Sequence, residues 1–177
     1  MHGGPDTAMT ELGKNLAILL VRELETFERE IDLFGDDERI WSMAPGCPNS
    51  AANSALHVAG NLRHYVGAVL GSTGYVRDRD REFRRRSGSR SDVKAELRAA
   101  IRDVAAILPV LTDAVFAMDF PEPVNGLRLR TDRFLMHLCA HAAYHLGQAD
   151  YARRVVTGDS RSSGPVPLAA LTSDRTS

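Results

Sequence analysis

The chain has 177 residues, 22 Lys plus Arg against 23 Asp plus Glu, and a formal net charge of −1. One domain is the default at this length, and such a chain buries roughly 70% of its unfolded surface without needing a metal or a disulfide to fold. Near-neutral charge argues against a dedicated nucleic-acid binder, whose footprint is basic, and two distant cysteines, Cys47 and Cys139, exclude a CxxC redox motif, a cysteine zinc site and a disulfide framework.

Residues 1–9 are polar and Gly-rich and read as a flexible N-terminus. A first helix is expected from about Thr10 to Phe34. Leu20, Leu24, Phe27, Ile31 and Phe34 recur there at alternating spacings of four and three, which is one helix face. Its apolar run Leu16–Val21 is followed at once by Arg22 and Glu23, too short for a signal-peptide core or a membrane span. No membrane partner is therefore expected. With the thiols read as reduced, the expected compartment is the cytoplasm.

Gly35-Asp36-Asp37 ends this helix, and a loop with Trp41 and Ala44-Pro-Gly-Cys-Pro48 follows. Asn49 and Ser50 offer caps for a second helix running to about Gly71. Gly60, Gly67 and Gly71 lower its intrinsic propensity and point to close packing against a neighbour. Its apolar stripe is Leu56, Ala59, Leu62, Val66 and Leu70, with His57, Asn61 and His64 off the centre of that stripe. Either this helix is buried on two sides or His57 is exposed. Burial on two sides would suit a dimer, one stripe packing on the partner subunit.

The stretch 72–92 is charged and turn-rich and reads as a long connection. A third helix is expected from about Asp92 to Met118, with Val93, Leu97, Ile101, Val104, Leu108, Leu111 and Val115 as its stripe and Pro109 as a kink or interruption. Residues 120–126 form a turn-rich link. A fourth helix starts near Thr131 or Asp132, both possible caps, and ends near Gly158. Residues 159–177 read as a flexible tail, although Val166–Leu171 is apolar enough to dock. Strand-like alternation and internal repeats are lacking. The expectation is an all-α four-helix bundle over residues 10–158 with long crossover connections.

The histidines carry the chemistry. On the fourth helix, Phe134, Leu138, His141, His145, Gln148, Ala152 and Val155 form a seam at alternating spacings of four and three. That pattern faces a bundle core, yet its middle three positions are polar. Unsatisfied buried polar groups cost about 1–3 kcal/mol each, so these side chains need partners. A spacing of four turns the side chain by only about 40° around the axis, so His141 and His145 can meet one ion. Neutral imidazole suits zinc, nickel and iron. An HxxxH pair alone is more often a surface or packed pair; its place on the seam raises the ligand reading to equal weight. His137 flanks the seam and reads as a partly exposed histidine. On the second helix, periodicity leaves open whether His57 faces the core.

The string His141-Ala-Ala-Tyr-His145-Leu-Gly-Gln148 resembles the HxxxHxGQ signature on the last core helix of the DinB-like (DinB/YfiT-like) superfamily. Leu56-His-Val-Ala-Gly-Asn-Leu-Arg63 resembles the second-helix motif that carries that family's third histidine. The resemblance covers about Leu12 to Val156. It implies a four-helix bundle, a homodimer, and a divalent metal held by three histidines, here His57, His141 and His145. His64, seven residues after His57, competes with it if the second-helix motif is shifted. The family includes thiol-dependent S-transferases that use bacillithiol, mycothiol or glutathione, and related isomerases.

Three protein ligands would leave a coordination position open, the pattern of a catalytic rather than a structural metal. A bound water or thiol would be activated there. A metallopeptidase is disfavoured, because Ala142 stands where HExxH places its glutamate base. Asn61 and Gln148 lie within a turn of His57 and His145 and are candidates to orient a ligand or substrate. The arginine cluster (Arg77, Arg79, Arg81, Arg84, Arg85, Arg86, Arg90) reads first as a salt-bridged loop and second as a carboxylate-binding mouth. A nucleic-acid surface is disfavoured by the scarcity of aromatics. Cys47, in a loop beside a helix N-terminus, is a weak candidate nucleophile. Cys139 reads as a buried small residue.

The expected function is a divalent-metal-dependent enzyme, either a thiol-dependent S-transferase or a small-molecule hydrolase. It would take a low-molecular-weight thiol and a small electrophile, with zinc or nickel ahead of iron or manganese. The alternatives are a non-catalytic metal-binding stress-response protein and a metal-free helical dimerisation module.

Overall fold

The computed structural model describes residues 10–163 and 168–171. The expected flexible N-terminus, residues 1–9, lies outside the described residues, as do 164–167 and 172–177 of the expected tail. Among the described residues the protein is all-helical.

The first long helix, α1 (Glu11–Asp32), starts where Thr10 Oγ1 accepts a hydrogen bond from the Gly13 amide at 3.1 Å. Such a cap is worth about 1 kcal/mol. Its expected stripe is fully inside: Leu20, Leu24, Phe27, Ile31 and Phe34 are all buried. The second helix, α2 (Ala51–Leu62), opens with a reciprocal capping box between Ser50 and Asn53 and continues as a π-helical segment, Arg63–Leu70. A short helix, α3 (Arg79–Arg84), forms inside the connection expected to be loop, capped by Asp78. Then α4 (Arg90–Ile107) begins with a Ser89–Asp92 capping box. It ends where Pro109 enters a 3-10 turn, Leu108–Val110, because proline cannot donate the next helical bond. A five-residue helix, α5 (Asp113–Ala117), follows. The last helix, α6 (Thr131–Thr157), stops at Gly158, whose φ of 70° is the left-handed cap. Neither Thr131 nor Asp132 caps α6. Arg130 holds the cap position without a side-chain cap bond, and its guanidinium pairs with the Asp132 carboxylate in the first turn.

The four long helices make a four-helix bundle. α1 packs on α4 and α6, and α2 packs on the same two, so α1 and α2 sit at opposite corners. Two of the three long connections, residues 33–50 and 108–130, therefore cross the bundle diagonally. The core is continuous from Leu20, Leu24 and Phe27 through Leu62, Leu97 and Val104 to Leu135 and Leu138.

Two expectations need correcting. Every residue of α2 is buried, but its second side is covered by α3 and α6 of the same chain. No partner subunit is needed to explain that burial. On α6 the buried seam runs through Leu135, Leu138, Ala142, Leu146, Ala149 and Ala152. The expected seam drifts off it: His141 and His145 are half-buried at its edge, and Gln148 and Val155 are exposed. No described helix is long and apolar enough to cross a membrane.

Candidate metal centre

α2 and α6 bring His57, His141 and His145 to one point at their interface. One side-chain donor atom from each lies within 4.8 Å of the other two. His57 Nε2 and His141 Nε2 are 3.2 Å apart. The ring centroids are 5.1 Å (57–141), 5.0 Å (57–145) and 4.6 Å (141–145) apart. His57 is buried; the other two are half-buried.

His57 is oriented from behind. Its Nδ1 lies 3.0 Å from Glu82 Oε2, and Phe83 covers its ring at 4.7 Å between centroids. Arg77 Nη2, which only donates, also lies 3.1 Å from Nδ1, but it is already given to Glu82 Oε2. The carboxylate accepts only, and its contact favours the tautomer with the proton on Nδ1 and the Nε2 lone pair toward the other two histidines. Arg77 fixes Glu82 in turn, with Nε 2.7 Å from Oε1 and Nη2 2.8 Å from Oε2. Burial pushes the Glu82 carboxyl up, but Arg77 and His57 outweigh it and hold it below the usual carboxylate value. Glu82 is thus an anion beside His57 on the side away from the cluster.

Burial pushes His141 down to about 3, helped by positive charge on His145, His57 and His137. Burial also lowers His145, assisted by His57 and opposed by the Gln148 amide. Neutral imidazoles are the ligand form. His145 Nδ1 is buried with no protein hydrogen-bond partner. Zinc–nitrogen bonds of about 2.0–2.1 Å in a tetrahedral site set ligand nitrogens roughly 3.3 Å apart, close to the 3.2 Å between His57 and His141. Three converging imidazoles and an orphaned buried nitrogen fit a divalent ion.

A pocket of about 200 Å³ opens at the cluster, lined by both His57 and His141. Asn61 lies in its wall, buried, its Oδ1 without a protein donor. His64 is elsewhere: its Nε2 lies 2.8 Å from Glu122 Oε1 on the connection before α6. His137 is exposed at the pocket rim, its ring 6.1 Å from that of His141. Gln148 lines a different cleft of about 300 Å³, which also holds the exposed Cys47. Cys139 is half-buried, and burial pushes its thiol up to about 11, so it is no nucleophile.

The arginine-rich stretch is largely ion-paired. Arg77 binds Glu82, Arg84 binds Asp80, Arg85 binds Asp92 and Arg90 binds Asp37. Sequence reasoning missed Glu82 and Arg77 as the support of His57. Gly60 offered one signal. A Cβ there would lie 2.1 Å from Glu82 Oε1, so the carboxylate reaches His57 only because α2 has no side chain at that position.

A family model described as the DinB superfamily matches residues 19–149, which span α1 through most of α6. No curated protein and no solved structure matches the chain with significance.

Proposed function

The chain belongs to the DinB superfamily, and from that premise we propose that it is a divalent-metal-dependent enzyme acting on a small molecule, best read as a thiol-dependent S-transferase. The observation that carries this is the convergence of His57, His141 and His145 beside an open pocket that the first two line. Zinc or nickel suits an all-imidazole donor set better than the hard, oxygen-seeking magnesium or calcium. When bound, such an ion holds a thiol as the nucleophilic thiolate or lowers the pKa of water. Hydrolysis is the second reading: no carboxylate lines the pocket, which leaves His137 at its rim as the general base that an attacking water would need. The chain's own residues orient His57 through Glu82 and Arg77, exclude water with Phe83 and Phe134, and leave one side open to substrate.

The test starts with metal content. Wild type is expected to bind about one zinc or nickel ion per chain, and His145→Ala to lose it with its helical circular dichroism intact. A screen of glutathione, mycothiol and bacillithiol against small electrophiles should then give activity in wild type alone. Equal metal content in both proteins would sink the site. A bound metal with no conjugation of any thiol would favour a non-catalytic role.

The proposal includes a homodimer in the cytoplasm. The support for a dimer is the outer face of α6, where Ala140, Ala143, Tyr144, Gly147, Gln148 and Tyr151 are exposed with no charge among them. Small residues there let a second helix approach closely. Sedimentation should give a dimer for wild type and a monomer for Ala143→Arg; a wild-type monomer would remove this part of the reading.

A further inference from the structure

We propose that the pocket beside His57 and His141 is a subsite for a small organic carboxylate with an N–H donor nearby, held by Arg79 and Asn61. The pocket wall contains two arginines, Arg77 and Arg79, and no Asp or Glu. Arg77 is occupied by Glu82 through Nε and Nη2. Arg79 is different: among the described residues no carboxylate lies within ion-pairing distance of it. Its neighbours are committed elsewhere, Asp78 to the Arg81 amide and Asp80 to Arg84.

The Arg79 guanidinium instead lies over the Phe83 ring, 5.1 Å from its centroid, and Phe83 lies against His57. Among the described residues the Arg79 N–H groups make no hydrogen bond, so the fork is available to grip a carboxylate with two parallel bonds. Asn61 supplies the second, independent observation. It is buried, faces the pocket, and makes no hydrogen bond with its side chain, leaving Oδ1 wholly enclosed and unpaired. A buried acceptor without a donor opposes folding, and a turn of the side chain into the pocket would bring it to a ligand N–H. Arg79 sits at the rim and Asn61 on α2 one turn beyond His57, so the anionic end points outward and the donor end inward. The volume of about 200 Å³ is below that of drug-sized sites and suits a molecule the size of an acylated amino acid.

That this anion is the metal's substrate rests on the proposed function; the anion subsite does not. The test separates them. N-acetylglycine and its uncharged amide, N-acetylglycinamide, are titrated into the ¹⁵N-labelled full chain, with and without zinc, while backbone amide shifts are followed. The acid should bind saturably, with shifts centred on Asn61, Arg79, Asn125 and His137, and the neutral amide at least about tenfold more weakly. Arg79→Gln should weaken the acid about tenfold, and Arg84→Gln, on the same helix but paired with Asp80, should leave it unchanged. Asn61→Leu should weaken binding and raise Tm, because it removes the unpaired acceptor. Equal binding of the two probes, indifference to Arg79→Gln, or no saturation up to about 50 mM would overturn the proposal. Arg79-dependent binding in a protein that takes up no zinc would sustain the subsite while defeating the metal reading. Zinc uptake without acid binding would do the reverse.

Discussion

An imidazole has two nitrogens, and a metal uses one. What the other does fixes the ring's tautomer and its aim. For His57 that second atom, Nδ1, meets Glu82, and Glu82 is gripped on both oxygens by Arg77. Replacing Glu82 with Gln keeps the shape and removes the charge. The expected result is a 10–100-fold loss of zinc affinity in competition with a chromophoric chelator, the range typical of second-sphere changes. A change under about threefold would show that Glu82 only packs. The pair His141 and His145 was legible, because a spacing of four on one helix is written in the sequence. Glu82 was not, because it lies 25 residues from His57. Asp78, Asp80 and Glu82 look alike in an alternating run of acids and arginines. Only folding separates them, sending Asp78 to cap α3, Asp80 to Arg84 and Glu82 to His57.

α2 and α3 act as one unit, and Asn53 is the joint between them. Its Oδ1 accepts the Ser50 amide at 3.2 Å, while its Nδ2 donates to the carbonyls of Glu82 at 2.8 Å and Arg85 at 2.9 Å. The residue is wholly buried. Asn53→Ala removes half of a capping box and takes the side-chain donor from the Glu82 carbonyl, while the Arg85 carbonyl keeps Arg86 Nη1 at 2.9 Å. Together these should cost about 2–4 kcal/mol in urea unfolding. Amides of α3 should also exchange faster than those of α4, since α3 is too short to persist alone. A loss under about 0.5 kcal/mol would mean that α3 is held by Phe83 and Arg77 instead. α3 escaped sequence reading because it is held by tertiary bonds, not by periodicity. α2 misled in a related way. Periodicity reports a boundary between core and water, and a helix buried on every side has no such boundary. The start of α1 was legible, because Thr10 sets it by local chemistry. Pro109 signalled an interruption, but the expected helix ran on to Met118, whereas α4 ends at Ile107.

At the scale of the whole molecule, the bundle's closure between α1 and α6 is polar at one point. Arg153 on α6 and Glu30 on α1 are both fully buried and joined by an ion pair. Arg153 also donates to the carbonyls of Asp159, at 3.1 Å, and Arg161, so the same side chain folds the chain back after Gly158. Such a pair gains little over apolar packing when intact, but breaking it strands a charge in the core. Arg153→Met should therefore lose about 3–5 kcal/mol, because Glu30 remains buried and two carbonyls lose a donor. Glu30→Met added to it should restore part of the loss by removing the stranded carboxylate. It should not restore all of it, because the carbonyls of Asp159 and Arg161 stay unpaired. With total stabilities of about 5–15 kcal/mol, the single variant should be marginal at 37 °C and the double variant folded. A double variant no more stable than the single one would show that the loss comes from the backbone carbonyls alone. A single variant within about 1 kcal/mol of wild type would show that the pair contributes no net stability to closure.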